Sequence, residues 1–287
     1  MAILKDQTLA SARRTRLGAF GSPSLGVVLA LSLVTPGLGA EATAPAKPSA
    51  AKPSHVAARA HPLTHADLNG YWHVTNFHPH MEPIENRITR TLEGELPPLL
   101  PAAQAIYDKR IQDGREGNAF ADTEAYCITA GVPRMMRGPS YPVFIDQPPG
   151  MVVMLFEVLH NVRWIYLGAK HPPEDQLDNN YQGDSIAHWE GDTLVVDTVG
   201  LNDKTTLDKV GLPHSDALHT IEHIRLTGPN NFEDVITIDD PKTYSRTFSV
   251  KATYERMKPG TRVMENICDN NRNQPTADGK VGFQAPK

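Results

Sequence analysis

From Asp67 onward the chain is cut into short β-patterned runs by turn residues, and few architectures accept that rhythm. Gly150-Met-Val-Val-Met-Leu-Phe-Glu157 and Val162-Arg-Trp-Ile-Tyr-Leu167 are apolar runs joined through His160-Asn161. Residues 185–190 and 193–199 flank Glu190-Gly-Asp192, a hairpin signal. Residues 218–226, 232–238, 247–256 and 262–267 follow, divided by Gly228-Pro-Asn-Asn231, Asp239-Asp-Pro241 and Lys258-Pro-Gly260. With Leu68–Val74 at the start, the pattern predicts eight or nine strands and no βαβ rhythm. The expected fold is all-β: an antiparallel meander closing into a lipocalin-like barrel, because closure removes the open edges of such a sheet. One helix is expected over 97–113, where Leu99, Leu100, Ala103, Ile106, Tyr107 and Ile111 recur at helical spacing. Tyr126 to Gly150 carries Pro133, Pro139, Pro142, Pro148 and Pro149 and reads as a long Pro-rich loop.

The first 42 residues have the pattern of a signal peptide. Arg13, Arg14 and Arg16 precede the apolar run 25–34, Pro36 follows it, and Ala40-Glu-Ala42 offers a cleavage site. That run is too short to span a bilayer, so no membrane association is expected after cleavage. Residues 43–62, rich in Ala, Pro and Lys, read as a linker, and 63–287 as a single β-barrel-like domain. The expected location is periplasmic or secreted.

The whole chain holds 28 basic and 33 acidic residues. Removing 1–42 takes away four basic and two acidic ones, leaving 24 against 31, or −7. A surface with that balance disfavours nucleic acid and anionic membrane and leaves a small molecule as the expected partner. Cys127 and Cys268 are the two cysteines. In an oxidising compartment they are expected to pair, the alternative being two buried thiols.

Chemistry concentrates in His214-Ser-Asp-Ala-Leu-His-Thr-Ile-Glu-His-Ile-Arg225. His219-Thr-Ile-Glu-His223 matches the H-x-x-E-H form of one zinc-peptidase class, which requires a helix. Thr220, Ile221, Ile224 and Thr227 favour a strand instead, so no metal ligand set is assigned. On a strand Glu222 turns inward with Leu218, Thr220 and Ile224, while His219, Ile221 and His223 face the other way. An inward Glu222 either lines a cavity or forms a buried ion pair with Arg163 or Arg246. Asp197, between Val195 and Val199, and Glu265, between Val263 and Ile267, are likewise expected on apolar faces. Three such acids predict a partly polar, hollow barrel.

His160 could act as a base or sit on a plain turn, with Tyr166 a proton donor or a girdle residue. His73, His78 and His80 with Met81 leave metal handling as a third alternative. Gly70-Tyr-Trp72 has the G-x-W form of the first strand of lipocalin-type barrels. No nucleotide- or phosphate-binding glycine loop and no G-x-S-x-G elbow is present, so no cofactor is expected.

Several segments together resemble a family of exported bacterial proteins with a Trp-Glu-Gly-Asp-Thr-Leu-Val-Val-Asp-Thr and His-Ser-Asp-Ala-Leu-His-x-x-Glu pattern. Here these are residues 189–198 and 214–222, accompanied by 67–72, 127–136, 160–166, 240–244 and 265–271. The resemblance implies a shared fold after about residue 65 and brings no established activity. His160, Arg163, His214, His219 and Glu222 fit its pattern, while His223 departs from the Arg that relatives carry there.

The residues then predict an exported, cofactor-independent enzyme (lyase, isomerase or hydrolase) acting on a small organic or sugar-derived ligand in the barrel. His160, His214, His219 and Glu222 are the expected acid–base groups; Arg163, Tyr166, Asp197, Ser215 and Glu265 are the expected ligand contacts. The alternative is a periplasmic ligand-binding protein without catalysis. Catalysis requires an imidazole and a carboxylate within hydrogen-bond reach.

Overall fold

The computed structural model describes residues 65–76, 84–117, 122–138, 141–266 and Cys268. The predicted signal peptide and linker lie outside the described residues, as do His78, His80, Met81 and Ile267. Nine described strands follow one another: β1 (Gly70–Val74), β2 (Val143–Asp146), β3 (Met151–Phe156), β4 (Val162–Leu167) and β5 (Asp184–Glu190), then β6 (Thr193–Val199), β7 (His219–Gly228), β8 (Asn231–Asp239) and β9 (Phe248–Arg256). Each pairs with its chain neighbours, and β9 returns to β1, so the sheet is a closed barrel.

An odd number of strands in a ring cannot alternate direction all the way round. The β9–β1 closure is antiparallel, and the required parallel pair falls at β4–β5. Parallel neighbours need a crossover rather than a hairpin, and residues 168–183 supply it, starting at Gly168 with φ +68°. The predicted antiparallel meander is therefore corrected to a mixed barrel.

Two further expectations change. Val143-Phe-Ile-Asp146 is a strand inside the predicted Pro-rich loop; its flanking Pro142 and Pro148 stand just outside the ladder, where a missing N–H costs nothing. Residues 261–266, expected as part of the last strand, have no regular structure. The expected helix appears as α2 (Pro101–Arg115), with Pro101 at its first turn. Short helical turns α1 (Ile84–Arg87) and α3 (Arg134–Arg137) accompany it. Buried Tyr107 ties α2 to the β6–β7 connection by donating to Asp208 Oδ2 at 2.6 Å. Asp208 Oδ1 also accepts from the amides of Val210, Gly211 and Leu212 at 2.8–3.0 Å. The predicted Cys127–Cys268 disulfide is formed.

Period-two alternation fills the barrel. Trp72, Ile145, Met154, Ile165, Leu194 and Phe232 are fully buried. Trp72 meets Phe232 edge-on at 4.7 Å, Phe232 stacks on Tyr254 at 4.3 Å, and Arg256 covers the Trp72 ring at 4.0 Å. Gly70, at φ +117°, admits that arginine: a Cβ there would stand 3.0 Å from its Nη1. The predicted hollow interior is thus replaced by a packed one.

One inward level is polar. Arg163 on β4 grips both carboxylate oxygens of Glu222 on β7, with Nη1 to Oε1 at 3.0 Å. Its Nη2 also donates to Thr198 Oγ1 at 3.0 Å and Ser185 Oγ at 3.2 Å. Of the readings open for Glu222, the buried ion pair with Arg163 is the one formed. Asp234 on β8, wholly buried beside it, has no donor for either oxygen among the described residues. Burial first, then the Glu222 charge and a hydrogen bond to it, push the Asp234 carboxyl well above its ordinary range, against the pull of Arg163. At this level of the barrel the Arg163–Glu222 pair thus has a second acid beside it, and its burial and the Glu222 charge favour the protonated form of Asp234.

Arg163→Met should cost about 3–5 kcal/mol, because Glu222 would be left buried without its cation; the double variant with Glu222→Leu should recover most of that in chemical denaturation. A raised native pKa means that Asp234 stabilises the fold below the unfolded carboxyl range and loses that contribution as pH rises toward its native value. Asp234→Asn should flatten the pH dependence above about pH 4 and raise the melting temperature at pH 7, with about 2–4 °C corresponding to each kcal/mol. An unchanged slope would contradict the protonated state. Replacing both cysteines by serine should cost up to about 5 kcal/mol for a loop of this length, read as a fall in denaturation midpoint that reductant reproduces in the parent.

Candidate active site

The outer wall of β5, β6 and β7 carries the densest chemistry of the described residues. Tyr166, Ile186, Asp197 and Ile221 form one cross-strand row. Asp184 at the start of β5 and His219 at the start of β7 lie diagonally on either side of Asp197, a spacing that longer side chains bridge. The β4–β5 crossover lays His171 over the same place. His171 Nδ1 is 2.6 Å from Asp184 Oδ1, and its Nε2 is 3.2 Å from Asp197 Oδ1. His219 Nε2 is 2.7 Å from that same Asp197 oxygen. The four side chains are part-exposed, from 20% for His171 to 39% for Asp197.

Proton placement follows from what these groups can do. A carboxylate only accepts, so a ring nitrogen bonded to it must carry hydrogen. His171 faces carboxylate oxygens at both ring nitrogens. His219 donates from Nε2 to Asp197, which leaves Nδ1 as the lone-pair nitrogen, without a partner among the described residues. Asp197 thus orients the His219 ring for accepting a proton and joins it to His171. Among the described residues, no three His, Cys, Asp or Glu side chains are arranged to hold a metal ion.

The sequence brought two members of this array forward, His219 and Asp197, and Tyr166 shares their wall. His219 and Glu222 face opposite sides, as the strand reading required. Asp197 does not point inward, contrary to expectation. Its strand is apolar on both faces, and Thr198, needed by Arg163, takes the interior position. Glu265 is exposed and on no strand. Arg163 and Glu222 are sealed within the barrel, away from any ligand.

The remaining expected groups stand elsewhere. His160 is exposed on the turn before β4, at φ +48°, with Nε2 3.2 Å from Met264 O and from Asn266 N. His214 is buried, which lowers its pKa; its Nε2 lies 2.7 Å from Thr205 Oγ1 and its Nδ1 3.1 Å from Ser215 O. Ser215 donates its backbone N–H and its hydroxyl to Asp240, both at 2.7 Å. These two residues brace the entry to β7 and have no group left over for a substrate.

His171 and Asp184 were not legible as site residues. His171 sits in a Lys-His-Pro-Pro stretch with no periodicity, and only the crossover brings it to the wall. Asp184 could have been flagged through its outward parity with Ile186. Asp234 did carry a signal, since it alternates with Phe232, Ile236 and Ile238.

A scan against protein-family models finds no match for this chain, and a search of curated proteins finds none similar to it.

Proposed function

We propose that the protein is an exported, cofactor-independent enzyme whose acid–base chemistry runs on the outer barrel wall, at His219, Asp197, His171 and Asp184. One observation carries this reading: Asp197 Oδ1 holds Nε2 of the part-exposed His219 ring at 2.7 Å, and Nδ1 has no partner among the described residues. A carboxylate behind an imidazole fixes its tautomer and stabilises the imidazolium that forms when the ring takes a proton. His171, bonded to Asp184 at one ring nitrogen and to Asp197 at the other, is a positioning residue that holds Asp197 in place. Tyr166 and Trp164, exposed on β4, offer an aromatic platform beside the row for a small organic or sugar-derived substrate.

Hydrolysis fits best among the reactions open to such a site: His219 Nδ1 takes a proton from the attacking water and returns it to the leaving group, while Asp197 holds the ring from Nε2. The Cys127–Cys268 disulfide supports an oxidising, extracytoplasmic location. Gly70-Tyr-Trp72, with Trp72 plugging the barrel under Arg256, supports a lipocalin-type relationship for the fold. Ligand capture without turnover is the second reading, favoured by the exposed aromatic pair.

The tautomer provides a test that needs no substrate. Nitrogen-15 NMR of the histidine rings should show His219 as the Nε2–H form, shifting toward a mixture in Asp197→Asn. In a hydrolase screen of esters, lactones and glycosides, any turnover found should fall roughly 10²–10⁴-fold in His219→Asn. It should fall less in Tyr166→Phe and remain intact in His160→Asn. Turnover that survives His219→Asn would remove the site from consideration.

A further inference from the structure

A second region concentrates charge of the opposite sign. A cleft of about 630 Å³ opens between residues 85–92, α3, the β6–β7 connection and β9. Among the described residues Arg87, Arg90, Arg134, Arg137, Lys209 and Lys251 line it, against two acids, Glu85 and Asp208. The whole chain has more acidic than basic residues, so composition alone does not produce this gathering.

Most of the charge nearby is already committed. Arg134 is paired with Asp122 at 2.7 Å and Glu124 at 3.0 Å. Glu85 is paired with Arg115 at 3.1 Å. Asp208 is occupied by three backbone amides of its own turn, the Thr89 amide and the Tyr107 hydroxyl.

Arg87 and Arg137 remain. Each has a buried Nε without an acceptor, and neither forms an ion pair among the described residues. Among the described residues Arg137 has one hydrogen bond, from Nη1 to Thr89 Oγ1 at 3.0 Å. Leaving a buried Nε–H of a half-buried guanidinium without an acceptor is costly, and a bidentate anion is the partner the rest of its planar fork fits best.

The geometry points to this cleft as a binding site for a small organic acid, its carboxylate held by Arg87 and Arg137. The volume lies in the range of small-molecule pockets and exceeds what an inorganic anion fills. Ile88, Leu92 and Leu207 line the same cleft and provide contact for a carbon skeleton. None of its residues belongs to the His219–Asp197 array, so the inference stands apart from the proposed catalysis.

Titration calorimetry of the full chain at constant ionic strength, with succinate, adipate and benzoate, tests it against succinamide and inorganic phosphate. Binding of at least one organic acid is expected, with none for succinamide and weaker binding for phosphate. Arg87→Gln and Arg137→Met should each weaken it roughly tenfold or more, the scale of a lost hydrogen bond to a charged group. If Arg137→Met fails to fold, Arg87→Gln alone decides, and His219→Asn should bind as the parent does. Failure of all three acids at millimolar concentration overturns the inference. So does undiminished affinity in Arg87→Gln, or phosphate binding as tightly as the organic acids.

Discussion

The Arg163–Glu222 pair is the constraint around which the barrel is arranged. It joins β4 to β7 across the interior, and Ser185 on β5 and Thr198 on β6 take the guanidinium hydrogens that Glu222 does not. Four consecutive strands are thereby fixed in register by one cation, since a one-residue slip would turn any of these groups out to solvent. Asp234 brings a fifth strand to the same place, with its carboxyl pushed above the ordinary range by burial and by the Glu222 charge. Two carboxylates facing a single guanidinium would leave an uncompensated charge in the core.

That register is also what assembles the outer wall. Because Thr198 must face Arg163, Asp197 must face outward; because Glu222 and Thr220 face inward, His219 faces outward beside it. The interior ion pair and the exterior His/Asp array are opposite faces of the same alternation. The parallel β4–β5 pair contributes the last member. An antiparallel hairpin would have turned within a few residues, whereas the crossover is long enough to carry His171 across the wall to Asp184 and Asp197.

Local patterning revealed much of this and stopped at identifiable points. The alternation over 218–226 was readable because Leu218, Ile224 and Leu226 share one face and His219, His223 and Arg225 the other, and it placed both Glu222 and His219 on their observed sides. It failed for Asp197 because the valines of β6 make both of its faces apolar, and hydrophobicity then cannot choose between them. Prolines concealed β2, although a four-residue strand between two of them is sterically free. The strand count came out right with one member wrong: β2 was missed, and 262–267 was counted in its place. His214 and Ser215 looked reactive by composition, but burial and the Thr205 and Asp240 contacts show them to be framework. Contacts made through a loop, such as that of His171, leave no periodic trace.

The position of the His/Asp array on an outer wall, rather than inside the barrel, also determines the medium in which it works. On the proposed hydrolytic reading, a part-exposed array on the outer wall meets its reagent, water, directly, and products would leave without waiting for a gate to open. Selectivity among substrates would then rest on the few side chains bordering the row, Trp164 and Tyr166 foremost among them.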